Sequence, residues 1–197
     1  MKTVSVIYHS GSGHTQRTAE SVARGASSVA DVQVNLLAIL PEQVTNGRWE
    51  DPSILESLSA SDGIIFGSPT YMGMVSGPFK CFADATAPFW FNMSWKDKIA
   101  GGFTSSGFAS GDKVMTLHYM ATLAAQLRMI WVGPAAPSSS LTQDGRGIDH
   151  YGFYLGVGVV GNQQLENQPN SGDLLTAELY GQRIANTTKA WTGLSDS

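Results

Sequence analysis

Three stretches of this sequence gather residues suited to holding a ligand. The first, Ser10-Gly11-Ser12-Gly13-His14-Thr15, follows an apolar run and precedes a helical one. A helix start offers unpaired N–H groups and the positive end of a dipole, which together make an anion site. Gly11 and Gly13 allow successive N–H groups to converge on one anion, and Ser10, Ser12 and Thr15 add hydroxyl donors. None of these is cationic, so the stretch suits a phosphate monoester held by many neutral donors. It lacks the Gly-Lys-Ser/Thr ending of a P-loop, and Gln16 stands where the dinucleotide fingerprint wants a third glycine. A plain capped turn, with Ser12 or Thr15 as N-cap, is the competing reading. The second stretch is Ser68–Pro78, "SPTYMGMVSGP", and the third is Thr104–Asp112, "TSSGFASGD". Ordinary rim residues would also account for Tyr71 and Met72, and simple flexibility for the third stretch.

Each stretch follows a run that reads as a strand and precedes one that reads as a helix. Strands are expected at Thr3–Tyr8, Val32–Leu37, Gly63–Gly67, Ile99–Thr104 and Met129–Val132. Helices are expected from Thr15 to about Val29, from Asp51-Pro52 to Leu58, and over Pro78–Ala85, Val114–Leu127 and Leu174–Trp191. "GIIFG" is short and apolar throughout, as in a strand buried on both faces. Ser138–Gln168 is rich in Gly, Ser and Asn and has no clear period. Five alternations predict an α/β fold in three layers, with a five-stranded parallel sheet and helices on both faces. Ligands in such folds sit beyond the carboxyl ends of the strands, where all three stretches fall.

The 197 residues, 42% hydrophobic and 14% charged, suit a single domain over 1–197, burying roughly 70% of its unfolded surface. A net charge of −4 without a Lys/Arg run argues against nucleic acid. No stretch approaches the ~20 apolar residues of a membrane span. No signal-peptide pattern follows Lys2, and the lone Cys81 fits a reducing compartment, so a cytoplasmic protein is expected. Tyr8-His9-Ser10 lacks the acids that a phosphorylated receiver domain needs after its first strand. No metal site is expected.

Ser-x-Ser-Gly-x-Thr after a first strand resembles the flavodoxin signature, whose loop holds the 5′-phosphate of FMN. "SPTYMG" resembles the loop that meets the flavin ring in that superfamily, and Thr104–Asp112 resembles its third flavin loop, with Phe108 in place of a smaller residue. "GPFKCFADATAPFWFNMSWKDKIAGGFTSS" is similar to the NAD(P)H:quinone oxidoreductases typified by the tryptophan-repressor-binding protein, with Gly77, Phe82, Asp84, Trp90 and Lys98 at the matching positions. "GRGIDHYG" resembles a later loop of that family, with Ile148 replacing a glycine. The stretch "TLAAQLRMIWVGP" carries Gln126 and Arg128 but not the family's histidine, and Ala38–Ser61 is shorter than usual there.

The resemblance implies an FMN enzyme that passes two electrons from NAD(P)H to a quinone by a ping-pong mechanism. It implies a cofactor site made of Ser10, Gly11, Ser12, Gly13, His14 and Thr15, of Pro69, Thr70, Tyr71 and Met72, and of Thr104, Ser105, Ser106, Gly107, Phe108 and Ser110. Trp90 would wall a neighbouring subunit's flavin in a homodimer or homotetramer. His150 and Tyr151 are the candidates for supplying a proton. The alternative is a flavodoxin-type electron carrier. Carriers rely on a strong acidic face, whereas sixteen acids against twelve bases are spread without a run.

Overall fold

The computed structural model describes residues 1–162 and 168–193. In chain order it contains β1 (Lys2–His9), α1 (His14–Ser27), β2 (Val32–Ile39), the short pair β3 (Val44–Thr45) and β4 (Arg48–Trp49), and α2 (Pro52–Ala60). Next come β5 (Gly63–Tyr71), β6 (Met74–Val75), α3 (Gly77–Ala85), α4 (Ala87–Phe91), β7 (Ile99–Ser106) and α5 (Lys113–Gln126). The chain continues with β8 (Ile130–Trp131), α6 (Ser139–Thr142), β9 (Val157–Asn162), β10 (Gln168–Pro169) and α7 (Ser171–Ala190). The main sheet runs β2-β1-β5-β7-β9 in parallel, with β10 antiparallel at the β9 edge.

Val4–His9 and Gly63–Pro69 are buried throughout, because helices cover both faces of the sheet. Alternate residues serve opposite sides. Val4, Val6, Ile65, Phe103, Val157 and Val159 pack with Ala19, Val22, Ala177 and Ile184 of α1 and α7. Ile7, Ile64, Phe66 and Ala100 pack instead with Leu58, Phe79, Phe82, Met120 and Leu123 of α2, α3 and α5. The result is the expected three-layer α/β architecture, with two cores back to back. Helices α1 and α7 touch backbone to backbone: a Cβ on Gly25 would lie 1.8 Å from the Glu178 carbonyl oxygen, and one on Gly181 would lie 1.9 Å from that of Val22.

The sheet departs from the expected five strands in two ways. Strand β5 runs on through Ser68–Tyr71 and turns back into β6 through Met72-Gly73. Both turn residues have positive φ, 49° and 80°, as a two-residue hairpin of the twist-matching hand requires. The fifth position of the sheet is shared. β8 pairs only with Ile99 and Ala100, the chain leaves at Gly133-Pro134, and β9 returns to pair with Phe103–Ser106. The expected strand Met129–Val132 is therefore half of a strand, and the other half lies in the stretch without a clear period. Residues 163–167 of that stretch lie outside the described residues. Tyr180 bridges the break: its hydroxyl donates to the Val132 carbonyl (2.6 Å) and accepts from the Gly102 N–H (3.1 Å).

Candidate functional site

The carboxyl ends of β1, β5, β7 and β9 surround a cavity of about 430 Å³, a size typical of small-molecule sites. Its walls are Ser12 and His14, then Pro69–Gly73, then Ser105–Phe108 with Gly111 and Asp112, and finally Gly161. All three stretches singled out from the sequence meet there.

In the first stretch Gly13 is the N-cap residue, and the capping hydroxyl comes from Ser10. Its Oγ accepts from the N–H groups of Gly13 (3.1 Å) and Gln16 (3.2 Å), so neither Ser12 nor Thr15 does that work. Gly13 sits at φ 88°, where a side chain is strained. A Cβ on Gly11 would lie 2.2 Å from the Tyr71 hydroxyl, so Tyr71 covers the loop. Thr15 turns inward, its Oγ1 2.8 Å from Ser105 Oγ, and ties the first stretch to the third. The His14 ring lies with Nδ1 3.1 Å from Ser12 Oγ. Its Nε2 is the one buried side-chain nitrogen or oxygen without a partner among the described residues. Burial, helped by Arg17, lowers the His14 pKa, so the neutral imidazole is favoured. The ring is pressed against Gly161, where a Cβ would lie 2.6 Å from Nδ1.

The second wall is held by hydroxyls. Thr70 Oγ1 lies 2.8 Å from both Thr104 Oγ1 and Thr116 Oγ1. Ser76 donates its N–H to Ser68 Oγ, and its own hydroxyl lies 2.8 Å from His9 Nδ1. The third wall rests on Lys113, a residue the sequence reading missed. Lys113 has no solvent exposure. Its ammonium donates to the carbonyls of Phe108, Ala109 (3.0 Å) and Ser110 (3.4 Å), and lies 5.5 Å from the centre of the Phe153 ring. Burial pushes its pKa down to about 8, partly offset by Asp173. One signal was present in the sequence: a lysine opens α5, the end of a helix that disfavours cations.

Ser10, Gly11, Gly13, Thr15, Thr104 and Ser110 are not among the lining residues. Gly73, Gly111, Asp112 and Gly161 line the cavity without having been expected to. Trp90 is elsewhere in the chain: half exposed on α4, it borders a separate cavity of about 360 Å³ with Tyr119 and Leu127. His150 and Tyr151 pack edge-on, 5.1 Å between ring centres, outside the cavity wall. Among the described residues no His, Cys, Asp or Glu group is arranged to hold a metal, and no helix is long and apolar enough to cross a membrane.

The model of the NADPH-dependent FMN reductase family matches residues 3–143. Flavodoxin FldP of Pseudomonas aeruginosa (strain UCBPP-PA14) is 38% identical over 187 residues, covering 94% of this chain and 96% of that protein. Quinone-oxidoreductase QR2 of Triphysaria versicolor is 31% identical over 195 residues, covering 94% and 95%. The crystal structure of the flavodoxin, WrbA-like protein from Agrobacterium tumefaciens superposes with a TM-score of 0.74 at 38% identity, covering 96% of this chain and 99% of that one.

Proposed function

The chain belongs to the NADPH-dependent FMN reductase family, and on that premise we propose that it binds FMN in the three-walled cavity and transfers two electrons from NAD(P)H to a quinone. The cavity carries this reading. One wall is a helix start with neutral donors only, the Ser12 hydroxyl and the N–H groups of Gly11, Ser12, His14 and Thr15, suited to a phosphate monoester. The other two walls, Pro69–Met72 and Ser105–Phe108, offer aromatic and apolar surface beside backbone polar groups. His14 Nε2, buried and unpartnered in the first wall, suits a polar atom of the same ligand.

Electron transfer between a nicotinamide and a quinone is the chemistry that FMN supplies when bound. The residues of this chain position and shelter it. Thr70 is fixed by two hydroxyl partners, Tyr71 covers the phosphate end, and Met72 and Phe108 form an apolar rim for flat substrates. NAD(P)H and quinone take turns at that rim, so the kinetics are ping-pong. Trp90, Phe91 and Met93 are exposed together at 50%, 78% and 51%, an apolar surface that a second copy of the chain covers in a homodimer or homotetramer. Cys81 has no disulfide partner, which supports a cytoplasmic setting.

The similarity to a protein named flavodoxin supports the second reading, an electron carrier. The test is steady-state NAD(P)H oxidation by the FMN-loaded protein with a benzoquinone. Turnover with parallel double-reciprocal lines supports the enzyme. A flavin-loaded protein without turnover points to the carrier, and a protein that takes up no FMN overturns both.

A further inference from the structure

We propose that Lys113 is a positioning residue that sets the reduction potential of the bound flavin, acting through the peptide groups of the loop Phe108–Gly111. This rests on the FMN reading above and specifies how the third wall serves it. Three successive carbonyls, those of Phe108, Ala109 and Ser110, turn inward onto one buried ammonium. In a trans peptide the N–H points opposite to its C=O. The N–H groups of Ala109, Ser110 and Gly111 therefore point away from Lys113, to the outer side of the loop. None of the three finds an acceptor among the described residues. These outward N–H groups carry partial positive charge on a loop whose Phe108 and Gly111 line the cavity, and a full positive charge lies behind the loop.

The ammonium is sheltered so that its field is not spent on water. The stem of Lys113 passes Gly158, where a Cβ would lie 3.0 Å from Cδ, and the Phe153 ring closes the side. Among the described residues no carboxylate forms an ion pair with it. The charge that faces it is Asp173 at the head of α7, whose carboxylate accepts from the Val160 N–H (2.9 Å) and is influenced in turn by His150. A buried cation at the start of a helix opposes the helix dipole and costs desolvation. Those costs are of the kind that accompany functional groups.

With FMN bound, a hydride from a nicotinamide would bring two electrons and one proton to the ring and leave the nicotinamide oxidised. The reduced ring would then carry one more negative charge than the oxidised one. A cation behind outward N–H groups favours the reduced state over the oxidised one. A residue that merely pinned the loop would favour both equally.

The experiment uses the full chain loaded with FMN, comparing wild type with Lys113→Met, Lys113→Arg and Asp173→Asn. The affinity for oxidised FMN is read from fluorescence quenching, and the two-electron midpoint potential from equilibration with a reference dye. Lys113→Met is expected to weaken reduced FMN at least tenfold more than oxidised FMN, a midpoint about 30 mV more negative for a two-electron couple. Lys113→Arg restores the midpoint. Asp173→Asn, which keeps an acceptor for Val160, moves it to less negative values. Equal loss of affinity for both forms, with the midpoint unmoved in Lys113→Met, overturns the inference while leaving FMN binding intact. Should Lys113→Met not fold, an unmoved midpoint in Asp173→Asn overturns it instead. A wild type that takes up no FMN brings down the parent reading and this one together.

Discussion

Replacing Gly161 by alanine tests whether the last parallel strand, β9, holds the first loop in shape, across almost 150 residues of chain. The added Cβ would lie 2.6 Å from His14 Nδ1, 2.7 Å from Cγ and 2.9 Å from Cε1, well inside the roughly 3.5–4.0 Å of ordinary contact. The ring is buried and already engaged with Ser12 Oγ at 3.1 Å, so it must move by about 1 Å as a unit. That move forfeits a hydrogen bond of about 1 kcal/mol and sets up packing strain of about 1–3 kcal/mol. The ligand-free loop relaxes part of the strain away, whereas the phosphate-binding geometry restores it. Binding of FMN therefore weakens by about 1.4–3 kcal/mol, a ten- to hundredfold rise in Kd, measured by quenching of flavin fluorescence. The control is His14→Ala. Because the clash is with the imidazole, Gly161→Ala adds almost nothing in that background, a strongly non-additive cycle. Wild-type affinity in Gly161→Ala, or a full additional penalty on top of His14→Ala, would refute the reasoning.

Gly13→Asp combines a side chain at φ 88° with a carboxylate among anion-binding donors; FMN affinity falls at least a hundredfold by titration, and unchanged affinity would remove the phosphate assignment. Tyr180→Phe leaves the Val132 carbonyl and the Gly102 N–H unpaired at the break in the fifth strand. Urea denaturation should show a loss of about 2–4 kcal/mol, with FMN affinity little changed. Lys113 releases its proton near pH 8 in the folded chain but near the ordinary 10.5 when unfolded. Between those values the unfolded chain binds more protons, so raising the pH from about 8 to about 10 stabilises the fold. Denaturation midpoints should rise over that window in wild type and rise by less in Lys113→Met, where the lowered pKa of Lys98 still acts in the same sense. Above it, the raised pKa of the buried Tyr8 and Tyr180 acts in the opposite sense.

Local information was enough to read most of the architecture. Apolar runs such as Val4–Tyr8 and "GIIFG", alternating with amphipathic stretches, carry a period that tertiary contacts then reinforce. Glycines and hydroxyls crowded between strand and helix marked three walls of the cavity, because backbone freedom and helix-end donors are properties of a few consecutive residues. The fifth strand was only half legible. Its second half, Val157–Asn162, includes two glycines, and its partner is a strand fifty residues earlier.

By itself, then, the amino-acid order determined the layers, the sheet direction and the end of the sheet where a ligand sits. Tertiary structure alone decided which hydroxyl caps the first loop, that His14 rests on Gly161, and that Lys113 gathers three carbonyls beneath the third loop. It also placed Trp90 away from the cavity of its own chain. Periodicity is a property of neighbours in sequence, whereas a buried charge, a clash or a cap depends on which distant atoms close packing brings within about 3 Å.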